Sequence, residues 1–290
     1  MGGTLVGAAR IRASEGRKAA PSSARSRGRW PQRPRVGQPR VMGYRVMTDK
    51  AAIVTGASSG IGLAIAEMLG AEGYGLTMAA RRPDKLQAAA EGLAAKGYDV
   101  QQIAGNLGDE ETIAGVVKAH EKRFGRCDVL VNNAGVGIGE AVDDLTTKKV
   151  DIQLNTNLRS IFLFYRAAMA MLRRAGEEHR NALVVNTSSI SGIRGEGWLS
   201  VYSATKHGVV GFTQAMNKEL GSAGIKNTAL CPGFVDTPMT DFVKQHVPAE
   251  SMITPVDIAE AVRYVLHTSP GCVIPEIRFE QPGGELGLPG

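Results

Sequence analysis

From Met47 onward, short apolar runs alternate with longer stretches of helical period, and few architectures accept that rhythm. The strand-like runs fall at 51–55, 75–80, 99–104, 128–132, 182–187, 226–230 and 275–279. Helical patterns lie between or after them, near 61–72, 84–96, 109–124, 148–175, 202–222 and 256–267. Strands joined through helices need crossover connections, which make neighbouring strands parallel and cover both faces of the sheet. The expectation is an α/β fold with a doubly wound parallel sheet of about seven strands and helices on both faces. With no internal repeat and no second shift in composition, 47–290 reads as one domain.

Residues 1–46 differ. Ten arginines and Lys18 stand there against a single acid, Glu15, whereas the remainder holds 23 basic and 27 acidic side chains. The overall charge of +6 therefore belongs to the first segment, and the mildly acidic body offers no nucleic-acid surface. Arg mixed with Gly, Pro, Ser and Ala, without hydrophobic period, is expected to be disordered. It reads as an inert or artefactual extension ahead of a start at Met47; an organelle presequence and a basic interaction arm are the alternatives. Cys127, Cys231 and Cys272 lie far apart with no metal-ligand spacing, so neither a disulfide framework nor a metal site is expected. Reduced thiols and the lack of an 18-residue apolar run lead to the expectation of a cytoplasmic protein without a membrane span.

The first strand-like run ends in Gly56-Ala-Ser-Ser-Gly60-Ile-Gly62, and a helical pattern follows at once. Gly56 permits a tight turn, Gly60 removes a side chain where a pyrophosphate approaches the backbone, and Gly62 allows close helix–strand packing. The N–H groups at the helix start then face an anion, which makes this a Rossmann-type dinucleotide turn or an ordinary turn of small residues. The second strand ends in Ala79-Ala80-Arg81-Arg82, where a cofactor with a free ribose 2′-hydroxyl usually meets a carboxylate. Two guanidiniums bind a 2′-phosphate better than a hydroxyl, so NADP(H) is expected over NAD(H). Asp84, past the strand tip, is the weaker alternative as a ribose acceptor, with the arginines then a solvated helix start.

Tyr202 and Lys206 are spaced i, i+4 and project from one helix face. An ammonium beside a phenol favours the phenolate and brings the group into range as a general acid or base. Thirteen positions earlier, Ser189 ends a strand-like run, at the sheet edge where open α/β folds place their ligands.

With these motifs the chain resembles the short-chain dehydrogenase/reductase family, in its single-domain branch. The likeness covers 47–290 and rests on Thr55-Gly-Ala-Ser-Ser-Gly-Ile-Gly62, Asn132-Asn-Ala-Gly135, Asn157, Ser189, Tyr202-x-x-x-Lys206 and Pro232-Gly233, in that order. The resemblance implies a catalytic set of Tyr202 as proton donor, Ser189 orienting the substrate oxygen, Lys206 on the nicotinamide ribose and lowering the tyrosine's pKa, and Asn157 holding a water in a relay to Lys206. Asn155 is the second choice for that last position. The implied cofactor-binding residues are Gly56, Ser58, Ser59, Gly60, Ile61, Gly62, Arg81, Arg82, Asn106, Leu107, Asn133, Ala134, Gly135, Tyr202, Lys206, Pro232, Gly233, Val235 and Thr237. Two departures are visible: Asn106 where the family usually has Asp, and Ile277-Arg-Phe-Glu-Gln-Pro-Gly-Gly284 in place of a strand followed by Asp-Gly-Gly.

The implied reaction is hydride transfer between a nicotinamide and a carbonyl or secondary alcohol, with reduction of a ketone or 3-oxoacyl group favoured because NADPH is the reducing pool. A nucleotide-sensing protein on the same fold is the alternative. Substrate walls are expected at 136–138, 190–198 and 239–247, the last either a lid carrying Phe242, Val243 and Val247 or a surface helix. Trp198 reads as a packed aromatic, His207 as a structural histidine, and Cys127 and Cys231 as core fillers. The expected partners are a small-molecule carbonyl or alcohol, no nucleic acid, no membrane, and further copies of the chain in a homodimer or homotetramer.

Overall fold

The computed structural model describes residues 49–245 and 247–282. The basic segment 1–46, expected to be disordered, lies outside them, as do Gly283 and Gly284. Seven strands, β1 (Ala51–Thr55), β2 (Gly75–Ala80), β3 (Val100–Ala104), β4 (Val129–Asn132), β5 (Ala182–Thr187), β6 (Ile225–Pro232) and β7 (Glu276–Phe279), form one sheet in the order β3-β2-β1-β4-β5-β6-β7. Every pairing is parallel. The central strands are buried on both faces, which is why they read as unbroken apolar runs, while β3 at the edge alternates.

Helices α1 (Gly60–Ala71), α2 (Pro83–Ala95), α3 (Glu110–Phe124), α4 (Thr147–Leu154), α5 (Ser160–His179), α6 (Ser200–Leu220) and α7 (Pro255–Leu266) complete the alternation. One core layer joins α1, α2 and α7 through Ile65, Leu69, Leu86, Ile258 and Val262. The opposite layer joins α3, α5 and α6 through Ile113, Phe164, Leu172 and Val209. The strand order reverses between β1 and β4, so connections leave in opposite directions and a crevice opens beyond their carboxyl ends.

The expected helix over 148–175 is two helices with a π turn at Asn155–Arg159 between them. An inserted π turn leaves the hydrophobic period on either side nearly intact, so periodicity does not reveal it. The segment 239–247 forms a single 3₁₀ turn, Asp241–Val243. Val243 and Val247 pack on Phe234 and Met252, whereas Phe242 is exposed. Its described residues thus form a short turn rather than the helix that its spacing allowed. The thiols of Cys127 and Cys231 are buried, and His207 bonds the Ser203 carbonyl through Nδ1 at 2.9 Å, as expected.

Candidate active site

A cleft of about 750 Å³ opens at the carboxyl end of the sheet, among the segments that follow all seven strands. Its floor under the first loop is made by glycine. Gly56 and Gly60 hold φ of +64° and +54°, a region that L side chains rarely adopt. A Cβ on Gly62 would collide with the Gly56 carbonyl and the Asn133 amide, so α1 sits closer to β1 and β4 than any other residue permits. Ser59, at the N-cap position of α1, makes no side-chain capping bond, so it offers no acceptor to the first-turn N–H groups. That cradle of small residues and helix-start amides fits a pyrophosphate.

Thr55 locks the loop to its neighbour. Its hydroxyl donates to the Val131 carbonyl at 3.2 Å and accepts the N–H groups of Asn133 and Ala134 at 2.9 and 3.0 Å. The Asn133 side chain returns a bond to the Thr55 carbonyl at 3.1 Å and accepts from the Thr187 hydroxyl at 3.1 Å. The sequence clue to this role is a hydroxyl at the end of an otherwise apolar strand.

The cleft brings together nearly all the residues expected to bind cofactor. Ser58, Ser59 and Ile61 line the α1 end, Arg81 and Arg82 the β2 tip, and Asn106 and Leu107 the loop after β3. Asn106 accepts from Gly108 N–H at 3.2 Å and donates to Asp109 at 2.9 Å, shaping its own turn. Ala134 and Gly135 follow β4, and Pro232, Gly233, Val235 and Thr237 follow β6. Gly62 stands behind the surface as a packing contact.

At the other end, Tyr202 and Ser189 both line the cleft, and the Ser189 hydroxyl donates to the Pro232 carbonyl at 3.5 Å and accepts from Ser191 N–H at 3.1 Å. Burial pushes the phenol above its ordinary pKa, and the neighbouring Ser189 hydroxyl pulls against that rise. Lys206 is 4% exposed, with its Nζ 5.5 Å from the tyrosine ring centroid and donating to the Thr187 carbonyl at 2.8 Å. Burial lowers its own pKa to about 8, with a small opposing effect from Cys231. The expected draw of Lys206 on the resting phenol does not prevail: burial raises the phenol, and the ammonium is committed to the Thr187 carbonyl.

Asn157 is buried within the π turn and does not line the cleft. Its Oδ1 accepts from Val136 N–H at 2.8 Å, and its Nδ2 donates to the Val136 carbonyl at 2.9 Å and the Thr205 hydroxyl at 3.2 Å. Its side chain thus braces the β4 loop against α6. Asn155, the second choice, stands beside Gly108 instead.

A model of the short chain dehydrogenase family matches residues 50–248. The chain belongs to that family. A protein of Streptomyces virginiae, named for a ketoacyl reductase of the monensin polyketide synthase, is 40% identical over 68% of this chain and 75% of its own. Among solved structures, an actinorhodin polyketide ketoreductase variant with NADPH shares 32% identity, covers 81% of this chain and 97% of its own, and superimposes with a TM-score of 0.74. A 3-ketoacyl-(acyl-carrier-protein) reductase from Brucella melitensis, complexed with NADH, gives 25%, 80% and 96%, with a TM-score of 0.72. As a member of the short-chain dehydrogenases, the chain is an oxidoreductase that acts on hydroxyl or keto groups of small molecules with a nicotinamide cofactor. Among the described residues no cluster suits a metal ion, and no helix is long and apolar enough to cross a membrane.

The substrate end of this dehydrogenase cleft holds residues that the sequence left in the background. Arg194 and Glu196 form an ion pair at 3.1 Å, and Glu280 and Gln281 reach in from beyond β7. Trp198, expected to be packed away, is 52% exposed and lines the cleft. Only a distant loop contact with Gly139 reveals its position, and no local pattern encodes that contact.

Proposed function

We propose that this short-chain dehydrogenase is an NADP(H)-dependent reductase of ketones or 3-oxoacyl groups. The observation that carries the reading is the Tyr202–Ser189 hydroxyl pair, one helical turn from buried Lys206, at the end of a cleft whose other end is lined by Arg81 and Arg82. The nicotinamide, when bound, supplies the hydride. The residues handle position and proton. Ser189 and Tyr202 both direct hydroxyls at the carbonyl oxygen, and Tyr202 gives up its proton as negative charge develops there. Burial keeps that proton on the phenol until it is needed. Lys206 then stabilises the phenolate and, from the same place, holds the ribose. Asn157 contributes by fixing the β4 loop and α6 relative to each other, and its position beside Gly135 keeps it next to the proposed relay.

Arg81 and Arg82 are exposed at the β2 tip with no carboxylate in the strand end itself, the arrangement that favours a 2′-phosphate. Titrating NADPH against NADH checks this: the wild type is expected to bind NADPH at least tenfold more tightly, and Arg81→Ala to lose most of that margin. Equal affinities in the wild type overturn the preference, and cofactor binding without turnover of any carbonyl overturns the reductase reading.

The proposed assembly is a homodimer or homotetramer of single-domain subunits spanning 47–290, in the cytoplasm. Partly exposed apolar side chains on α4 and α5, Ile152, Leu154 and Phe162, support a covered face there.

A further inference from the structure

Trp198 combines three features that core packing alone does not require. Its backbone holds φ of +63°, and among the described residues only Arg180 shares a left-handed conformation without being glycine. For a bulky residue such a conformation is an outlier, and outliers of this kind collect at functional sites. Its indole sits on the loop after β4: a Cβ on Gly139 would run into the six-membered ring, so this position accepts the ring only because it is glycine. Yet the residue remains half exposed and lines the cleft that also contains Tyr202 and Ser189.

The strained backbone is held by neighbours. The Glu140 N–H donates to the Trp198 carbonyl at 2.8 Å, and the Ser203 hydroxyl accepts from Glu196 N–H at 3.2 Å just before it. The six-membered ring thus rests against the loop after β4 while about half of the residue stays exposed at the cleft. Met239 and Phe242, 48% and 58% exposed, line the same cleft from the loop after β6. Arg194 and Glu196 on the wall nearby present both signs of charge as an ion pair. Exposed apolar surface gathered around a reactive centre favours an apolar occupant.

We propose that Trp198 is the specificity-determining residue of the cleft, and that the exposed part of its indole receives the flat aromatic part of an aryl ketone whose carbonyl lies at Tyr202. This rests on the ketone-reductase reading above and deepens it. Stacking on a fixed ring is favourable for planar, polarizable groups and gives a small hydroxylated ketone little.

The test separates the two readings. In full-length Trp30→Phe protein, Trp198 is the sole tryptophan, because the chain contains two. Its emission is expected to be quenched saturably by 2-acetonaphthone and not by hydroxyacetone. In steady-state assays with NADPH, Trp198→Ala is expected to lower kcat/KM for 2-acetonaphthone relative to hydroxyacetone by about tenfold, mostly through KM. Trp198→Phe should recover part of that ratio. Gly139→Ala, which unseats the ring without removing it, should move the ratio in the same direction and guards against a folding defect in the alanine variant. Proportional losses for both ketones in Trp198→Ala and Gly139→Ala, or quenching that never saturates, would overturn the proposal. If wild type binds NADPH and reduces neither ketone, the reductase reading falls, and the fluorescence titration alone decides whether the indole is a binding platform.

Discussion

At the scale of single residues, the chemistry concentrates in one phenol and one amine. Tyr202→Phe keeps the ring, which a Cβ on Gly137 would meet at 3.9 Å, and removes only the hydroxyl and its proton. Carbonyl reduction is expected to fall at least ~100-fold, with NADPH affinity within a few-fold of wild type, as read by cofactor fluorescence and steady-state rates. The pH profile follows from the amine. The Tyr202 pKa is raised, so the acid stays protonated across neutral pH, and the first group to titrate on the alkaline side is Lys206 at about 8. As pH rises past that value the ammonium is lost, and with it the stabilisation of the phenolate. The rate of reduction should therefore decline above pH 8, and in Lys206→Arg, whose guanidinium does not titrate there, any residual activity should show no such limb. A profile flat to pH 10 in the wild type would contradict the assignment.

At the scale of elements, tight packing of α1 on β1 and β4 sets the position of the glycine turn. In Gly62→Ala the added methyl meets the Gly56 backbone carbonyl and the Asn133 side-chain amide, which is itself held by the Thr55 carbonyl, so the helix must move. We expect a loss of roughly 1–3 kcal/mol in unfolding free energy together with weakened cofactor binding, measured by denaturant titration and by NADPH titration of the folded variant. This contact also shows how far the sequence could be read. The strand–turn–helix order and the glycine spacing are legible because they are local, and for the same reason six of the seven strands lie within one residue of their expected bounds; β6 begins one residue earlier and ends two later. The π turn that buries Asn157 was not, because one inserted residue leaves the apolar stripe of α4 and α5 in place. Nor was the exposure of Trp198, which depends on a loop sixty positions away. The resemblance supplied which asparagine to choose, and the structure alone gave its side-chain partners, Val136 and Thr205.

At the scale of the whole molecule, the two ends of the sheet serve different purposes. The carboxyl ends carry the cleft, and the opposite ends are sealed by buried polar groups. Asp128, just before β4, accepts from Ala51 N–H at 2.7 Å, from Arg126 at 2.7 and 2.9 Å, and from His179 at 2.9 Å. Burial would raise its pKa, but the Arg126 bonds and the other donors outweigh burial and leave it below the usual carboxylate value. Close by, His120 is fully buried between the Thr77 hydroxyl at 2.6 Å and the Arg126 carbonyl at 2.8 Å, and burial depresses its pKa from 6.5 to about 4. A histidine whose folded pKa lies below its unfolded one costs stability in acid: between pH 6.5 and about 4 the unfolded chain takes a proton that the folded chain refuses. Above pH 6.5 the group contributes no slope. The fold should therefore lose about 3 kcal/mol from this residue as pH falls through that window. His120→Gln retains an amide able to bond Thr77 and the Arg126 carbonyl but cannot titrate, so its unfolding free energy should fall less steeply from pH 6.5 to 4 than that of the wild type. Equal slopes in parallel denaturant titrations would show that His120 is not the group through which acid destabilises this end of the sheet.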